Sequence, residues 1–188
     1  MYRFTFFIIS LFVSLTAISA EPSKIQFALD YHYNLGLSQR GLGVTITRSD
    51  MEMHGNSLHA TLLYNINSKF TTGVGIGLDR YEPSPNTLPI FATFRYRPFK
   101  TQMAKYFYAF TDFGYSVPSE DDDNLSSGIL WNLGVGWQKM FRKHFGLNFQ
   151  FGYNFKQFRA NMHDYDSDYY KKFSIYRNSL TFGFGLVF

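Results

Sequence analysis

The chain has 188 residues and no cysteine, and its 18 Lys and Arg against 14 Asp and Glu leave a net charge of +4 at neutral pH. So small and dispersed a charge does not make a nucleic-acid-binding surface. The lack of cysteine excludes a disulfide framework, a lipid-anchored N-terminal cysteine and thiolate chemistry. An aromatic content of 20% excludes disorder.

The length fits one domain, and a mean hydropathy of -0.18 beside so many rings predicts apolar residues interleaved with polar ones. The one long apolar run comes first. Arg3 supplies a positive charge, Phe4 to Ala20 carries none, and the small residues Ala17, Ser19 and Ala20 close the run before Glu21-Pro22. This is the layout of a secretory signal peptide over residues 1–20, cleaved after Ala20 or Ser19, and it is short for a membrane span.

From there the chain alternates. Ile25, Phe27, Leu29, Tyr31 and Tyr33 oppose Gln26, Ala28, Asp30, His32 and Asn34. Between residues 36 and 47 the apolar parity shifts from odd (Leu35, Leu37) to even (Leu42, Val44, Ile46). A bulge or turn is therefore expected near Ser38 to Gly41, with this stretch extending the first strand or beginning an elaborate first loop. Leu58 to Ile66 alternates with Ser57, His59, Thr61, Leu63 and Asn65, and Phe70 to Leu78 with Gly73, Gly75, Gly77 and Asp79. Ile90, Ala92, Phe94 and Tyr96 oppose Phe91, Thr93, Arg95 and Arg97. In Tyr106 to Ser116 the rings of Tyr106, Tyr108 and Phe110 share a face with Asp112 and Gly114, and that face is expected inward, over glycines of neighbouring strands. Ile129 to Gln138, Phe145 to Lys156 and Ser179 to Phe188 complete the set. The unbroken twelve residues of Phe145 to Lys156 are about the length that crosses a bilayer at a tilt. Eight strands result.

Short or compact turns (residues 65–69, 98–105, 139–144) are predicted to alternate with longer polar loops (48–56, 81–87, 118–127, 160–172). That asymmetry belongs to a membrane barrel with short periplasmic turns and longer extracellular loops. The second face decides between lipid and water outside. It is rich in Gly, Asn, Gln, Ser and Thr, and its charges are Asp30, Asp79 and Asp112 against Arg95, Arg97 and Lys156. A soluble barrel would carry far more Lys and Glu outside. The polar face is therefore read as a narrow lumen and the apolar face as lipid-facing. Tyr64, Tyr81, Tyr96, Trp131, Trp137, Tyr153 and Tyr176 are expected as interfacial girdles. The fold class is all-β: a single transmembrane, antiparallel, up-and-down barrel over residues 21–188.

The last residues, Thr181-Phe-Gly183-Phe-Gly-Leu186-Val-Phe188, look like the C-terminal β-signal of bacterial outer-membrane proteins. With the apolar leader and the Gly-Val-Gly-Ile-Gly-Leu-Asp-Arg-Tyr strand at 73–81, the chain resembles small OmpA/OmpX-like barrels. The particular likeness is to the outer membrane protein beta-barrel domain proteins of Bacteroidetes. The resemblance implies insertion by the barrel assembly machinery, with Leu186 and Phe188 recognised, and implies no reaction.

The lumen charges could line a pore; in so narrow a barrel they are expected to pair and plug it, Asp79 or Asp112 with Arg95 and Arg97. His163 with Asp164 and Ser167 is the loop cluster nearest to a hydrolase set, but it lacks a His-x-Ser-Asn strand motif, and the chain is expected to have no catalytic residues. Asp164, Asp166 and Asp168, and the run Glu120 to Asp123, could hold divalent ions, yet Tyr169 stands where an EF-hand needs Gly. His54, His59 and Glu52 are read as loop and lumen residues rather than a metal cluster; no cofactor is expected. Arg159, Lys171, Lys172 and Arg177 near the outer rim could meet lipopolysaccharide phosphates. The expected role is envelope integrity or surface recognition through the loops, by a monomer in contact with outer-membrane lipids and lipopolysaccharide. The alternatives are a narrow solute channel and a lipid A-modifying enzyme.

Overall fold

Period-two alternation becomes paired strand along most of the described residues. The computed structural model describes residues 24–82, 86–99, 105–119, 125–142, 145–164 and 169–188; the expected signal peptide lies outside them. Eight long strands form the wall: β1 (Ile25–Gly41), β3 (His54–Asn65), β4 (Phe70–Glu82), β5 (Thr87–Tyr96), β6 (Lys105–Pro118), β8 (Gly128–Arg142), β9 (Phe145–Asp164) and β10 (Tyr169–Val187). Two short pieces extend it at the long-loop end: β2 (Val44–Thr47) pairs with β1 beyond the end of β3, and β7 (Leu125–Ser126) continues the line of β8 along β9. Neighbours in sequence are neighbours in the sheet, all antiparallel, and β10 pairs with both β9 and β1, so the sheet closes. Among the described residues, closure gives each of the eight long strands a partner on both sides, the condition for a strand-built structure in lipid.

The faces sort as the alternation required. Val74, Ile76, Ile90, Phe94, Phe107 and Val135 point outward and are more than half exposed, while Asp30, Ser57, Thr61, Asn132, Asn148 and Ser179 point inward and are buried. An apolar outside around a polar inside is the inverse of a water-soluble barrel. Tyr108, Phe110 and Asp112 of β6 are buried inside, as that strand's sequence suggested.

At the first loop both alternatives occur together. The β1–β10 register shifts between Gly36 and Ser38, β1 runs on to Gly41, and the chain returns as β2. The two-residue turn is Leu42-Gly43, both at positive φ (52° and 78°). That twist matches the right-handed twist of a hairpin, although a leucine is unusual there.

The last loop is smaller than expected. Residues 160–164 pair with 169–173, so strand replaces most of the anticipated 160–172 loop. Alternation does not reveal this extension, because polar residues fall at both parities there, Asn161 and His163 at odd numbers and Asp164 at an even one, Lys171 and Lys172 side by side. With 17, 20 and 19 residues against 10 to 15 in the other wall strands, β1, β9 and β10 make one side of the barrel taller at the long-loop end.

Candidate functional site

The inward residues fill the barrel in tiers. Towards the long-loop end, Lys156 Nζ contacts the Asp79 carboxylate. His59 Nε2 lies 3.0 Å from the other oxygen of that carboxylate, and the Thr87 hydroxyl donates to Asp79 at 3.5 Å. Beside them the Tyr81 ring meets two cations, Lys156 Nζ at 4.6 Å and the Arg177 guanidinium at 5.0 Å from its centre. Arg177 is wholly buried and donates to the backbone carbonyls of His54 and Glu82 at 3.2 and 2.9 Å. Phe158 packs edge-on against Tyr81. Charge-assisted bonds and cation–π contacts thus offset the desolvation of these groups.

In the middle tier the imidazoles of His32 and His59 lie 4.9 Å apart and His59 packs on Phe91. Asn132 donates to Asp112 at 3.1 Å, and Gln150 meets His32 Nε2 at 2.7 Å. Below, the Tyr108 hydroxyl donates to Asn148, which donates to Asp30 at 2.7 Å. Arg95 lies over the Tyr108 ring at 5.0 Å. Ala28, Leu63 and Val187, with Met140 against them, form a small apolar cluster near the short-turn end.

Two inward glycines make room for this filling. A Cβ at Gly136 would collide with the Tyr108 ring, and one at Gly75 with the Phe91 ring. Glycine here serves close approach of rings to backbone, not a channel.

Asp30, Asp79, Asp112, Arg95 and Lys156 are buried and Arg97 is half-buried just past the end of β5, but the partners differ from the expected ones. Asp79 pairs with Lys156 and His59 rather than with Arg95 or Arg97, although its strand neighbours theirs. The reason is height. Asp79 lies level with Thr87 at the long-loop end of β5, whereas Arg95 lies level with Thr71 near the short turns. Arg97 bonds Asn65 and Thr71 and stacks on Tyr106. Asp112 is bonded by Asn132, and among the described residues it makes no ion pair with Arg95.

Two further placements are corrected. Arg177 belongs to the lumen, not to a lipopolysaccharide-binding rim, and Tyr81 is an inward plug residue, not part of an interfacial girdle. Strand parity carried both: Arg177 shares a face with Ser179 and Thr181, and Tyr81 with Asp79. Tyr64, Tyr96, Trp131, Tyr153 and Tyr176 are exposed on the outside.

His54 and His59 separate. His54 lies 3.5 Å from Glu82 at the rim and His59 is in the lumen, with Glu52 exposed. Among the described residues no group of three His, Asp or Glu side chains could hold a metal. Arg159 is exposed. The side chains of His163, Asp164, Asp166, Ser167, Asp168, Lys171, Lys172 and the run Glu120 to Asp123 lie outside the described residues. Of the terminal residues, Thr181 is buried inside and Gly183 packs under His32. Leu186 pairs with Leu29 in the β1–β10 seam, and Phe188 exchanges backbone bonds of 2.8 and 3.0 Å with Phe27.

No protein-family model matches the sequence, and no curated protein does. Solved structures do. The outer membrane protein OprG from Pseudomonas aeruginosa is similar at a TM-score of 0.57 and 14% identity, over 87% of this chain and 95% of that one. Neisserial surface protein A (NspA) gives 0.49 at 15% identity, over 86% of this chain and 96% of its own. The N-terminal beta-barrel domain of Pseudomonas aeruginosa OprF gives 0.46 at 9%, over 85% and 96%. The likeness to OprG places the fold among outer-membrane β-barrels.

Proposed function

We propose that the chain is a non-enzymatic integral outer-membrane protein with a sealed lumen. It is exported by residues 1–20 and acts in envelope integrity or in surface recognition through its outer loops. In this reading the short turns face the periplasm, and the taller wall of β1, β9 and β10 stands outside, among lipopolysaccharide and any extracellular ligand. Thr181, Gly183, Leu186 and Phe188 present the β-signal to the barrel assembly machinery, as in the small OmpA/OmpX-like barrels that the sequence resembles.

The observation that carries the sealed lumen is the tier of Asp79, Lys156, Tyr81, Arg177 and Phe158, five buried side chains in mutual contact across the bore. A conducting pore needs hydrated, mobile charge along its axis, whereas these charges are held by one another, by backbone carbonyls and by a ring. The test is ion conductance of the mature protein refolded into a planar bilayer, with heat-modifiable gel mobility as the check on folding. A folded, silent protein is expected. Reproducible single-channel steps would overturn the sealed lumen and make Asp79, Lys156 and Arg177 selectivity residues of a narrow channel.

A further inference from the structure

The two rims differ in charge: at the long-loop end Arg40, Arg48 and Arg80 lie among acidic residues, whereas the turns of the other end are basic only. The three short turns and their flanks, residues 65–69, 97–105 and 139–145, contain Lys69, Arg97, Lys100, Lys105, Lys139, Arg142 and Lys143 and no Asp or Glu. Asp50, Glu52 and Glu82 lie at the opposite rim, in the turn after β2 or beside the ends of β3 and β4. Within the basic rim, Lys105 of β6 and Lys139 of β8 are directly paired across the ladder, on the same outward face as the Phe107–Trp137 pair above them. Like charges placed opposite each other repel. Among the described residues neither lysine makes an ion pair, and Lys139 rests on the Phe141 ring at 5.0 Å.

Four residues up β6, about 13 Å along the strand, the outward row drops to Ala109 among larger side chains. An apolar groove of about 490 Å³ opens there, bounded by Phe70, Phe94, Tyr96, Ala109, Thr111 and Leu133. A pair of ammonium groups without an acidic partner among the described residues and an apolar groove about 13 Å along the strand from them form an amphiphile's outline. Long lysine stems reach from an apolar wall to a headgroup plane. Charge complementarity selects an anion, and the groove's continuity with the lipid-facing surface selects an acyl chain.

We infer that this face binds an anionic glycerophospholipid of the inner leaflet, with its phosphate on Lys105 and Lys139 and an acyl chain in the groove over Ala109. The inference rests on the outer-membrane reading and its orientation.

The two tryptophans provide the assay. Trp137 lies two residues from Lys139 on the same face, and Trp131 lies about 20 Å further up the strand. Single-tryptophan proteins (Trp131→Phe, Trp137→Phe) are refolded into phosphatidylcholine vesicles that contain either brominated phosphatidylglycerol or brominated phosphatidylcholine at equal mole fraction. Stronger quenching by the anionic lipid is expected at Trp137 and not at Trp131. In the Trp131→Phe background, Lys105→Gln/Lys139→Gln should abolish the preference, on the order of fivefold in lipid affinity for each lysine. Lys105→Arg/Lys139→Arg should retain it, and both variants are checked for heat-modifiable mobility.

Equal quenching of Trp137 by the two lipids, or a preference that survives the Gln variant, overturns the site. So does displacement of the anionic lipid by soluble peptidoglycan fragments, which would assign the lysines to the cell wall. Absence of quenching at both tryptophans overturns the outer-membrane reading itself, and the site with it.

Discussion

Replacing Asp79 by Asn keeps the shape of the upper lumen and removes one charge. Lys156 then retains the Thr87 hydroxyl at 3.3 Å and the Tyr81 ring at 4.6 Å, with Arg177 on the same ring. A buried charge stripped of its partner costs about 3–5 kcal/mol, and the second cation nearby places Asp79→Asn in the upper part of that range. Lys156→Met differs, because Asp79 keeps His59 at 3.0 Å and Thr87 at 3.5 Å. The loss there is one charge-assisted hydrogen bond, about 1.5–3 kcal/mol.

With both changes neither charge remains to be desolvated, and replacing a buried pair by neutral residues is often neutral. The double variant should therefore be more stable than Asp79→Asn alone, with a coupling of about 2 kcal/mol or more. Urea unfolding of the four proteins in lipid vesicles, followed by tryptophan fluorescence, measures the cycle. Single effects that add to within about 0.5 kcal/mol, or an Asp79→Asn cost below about 1 kcal/mol against the 3–5 kcal/mol expected, would refute the account of the plug.

Gly136→Val should destabilise the barrel by about 1–3 kcal/mol through overpacking against Tyr108, and the same urea titration should register no such loss for Ile76→Val on the exposed outer face. Leu42 holds a positive φ at an exposed hairpin tip. Leu42→Asn should relieve about 1 kcal/mol of strain and slow proteolytic cleavage between β1 and β2. Hydrogen bonds from the Thr47 hydroxyl and amide hold the exposed Asp50 carboxyl below the ordinary aspartate pKa. Because the folded pKa is depressed, the ordering of the 47–50 turn is present above the unfolded pKa and is lost as pH falls through the folded one. A carboxyl NMR titration of Asp50 should place its midpoint below that of an unstructured peptide, and Thr47→Val should raise it.

Much of this architecture was legible along the chain because a closed sheet with an apolar outside and a polar inside constrains every second residue. The twelve unbroken alternations from Phe145 to Lys156 could hardly be anything but a strand, and their inward members lie in the lumen as read. Even β6 was legible, since glycines on the next strand leave space for its inward rings. Arg177 and Tyr81 were also within reach of parity. A place near a strand end suggests the rim, but the face each shares, with Ser179 and with Asp79, puts both inside.

Sequence by itself determined the strand number, the inside and outside faces and the polar character of the lumen, since these depend on period two, which is local. Only the tertiary structure decided who pairs with whom. Partners across the bore depend on register and stagger, which accumulate around a closed ring and leave no trace within one strand. Asp79 therefore meets Lys156 from β9 rather than an arginine of the adjacent β5. The heights of the walls were decided in the same way, for at the long-loop end polar residues fall at both parities and leave no alternation to read. The basic rim, too, exists only after three turns distant in sequence are brought to one end of the barrel.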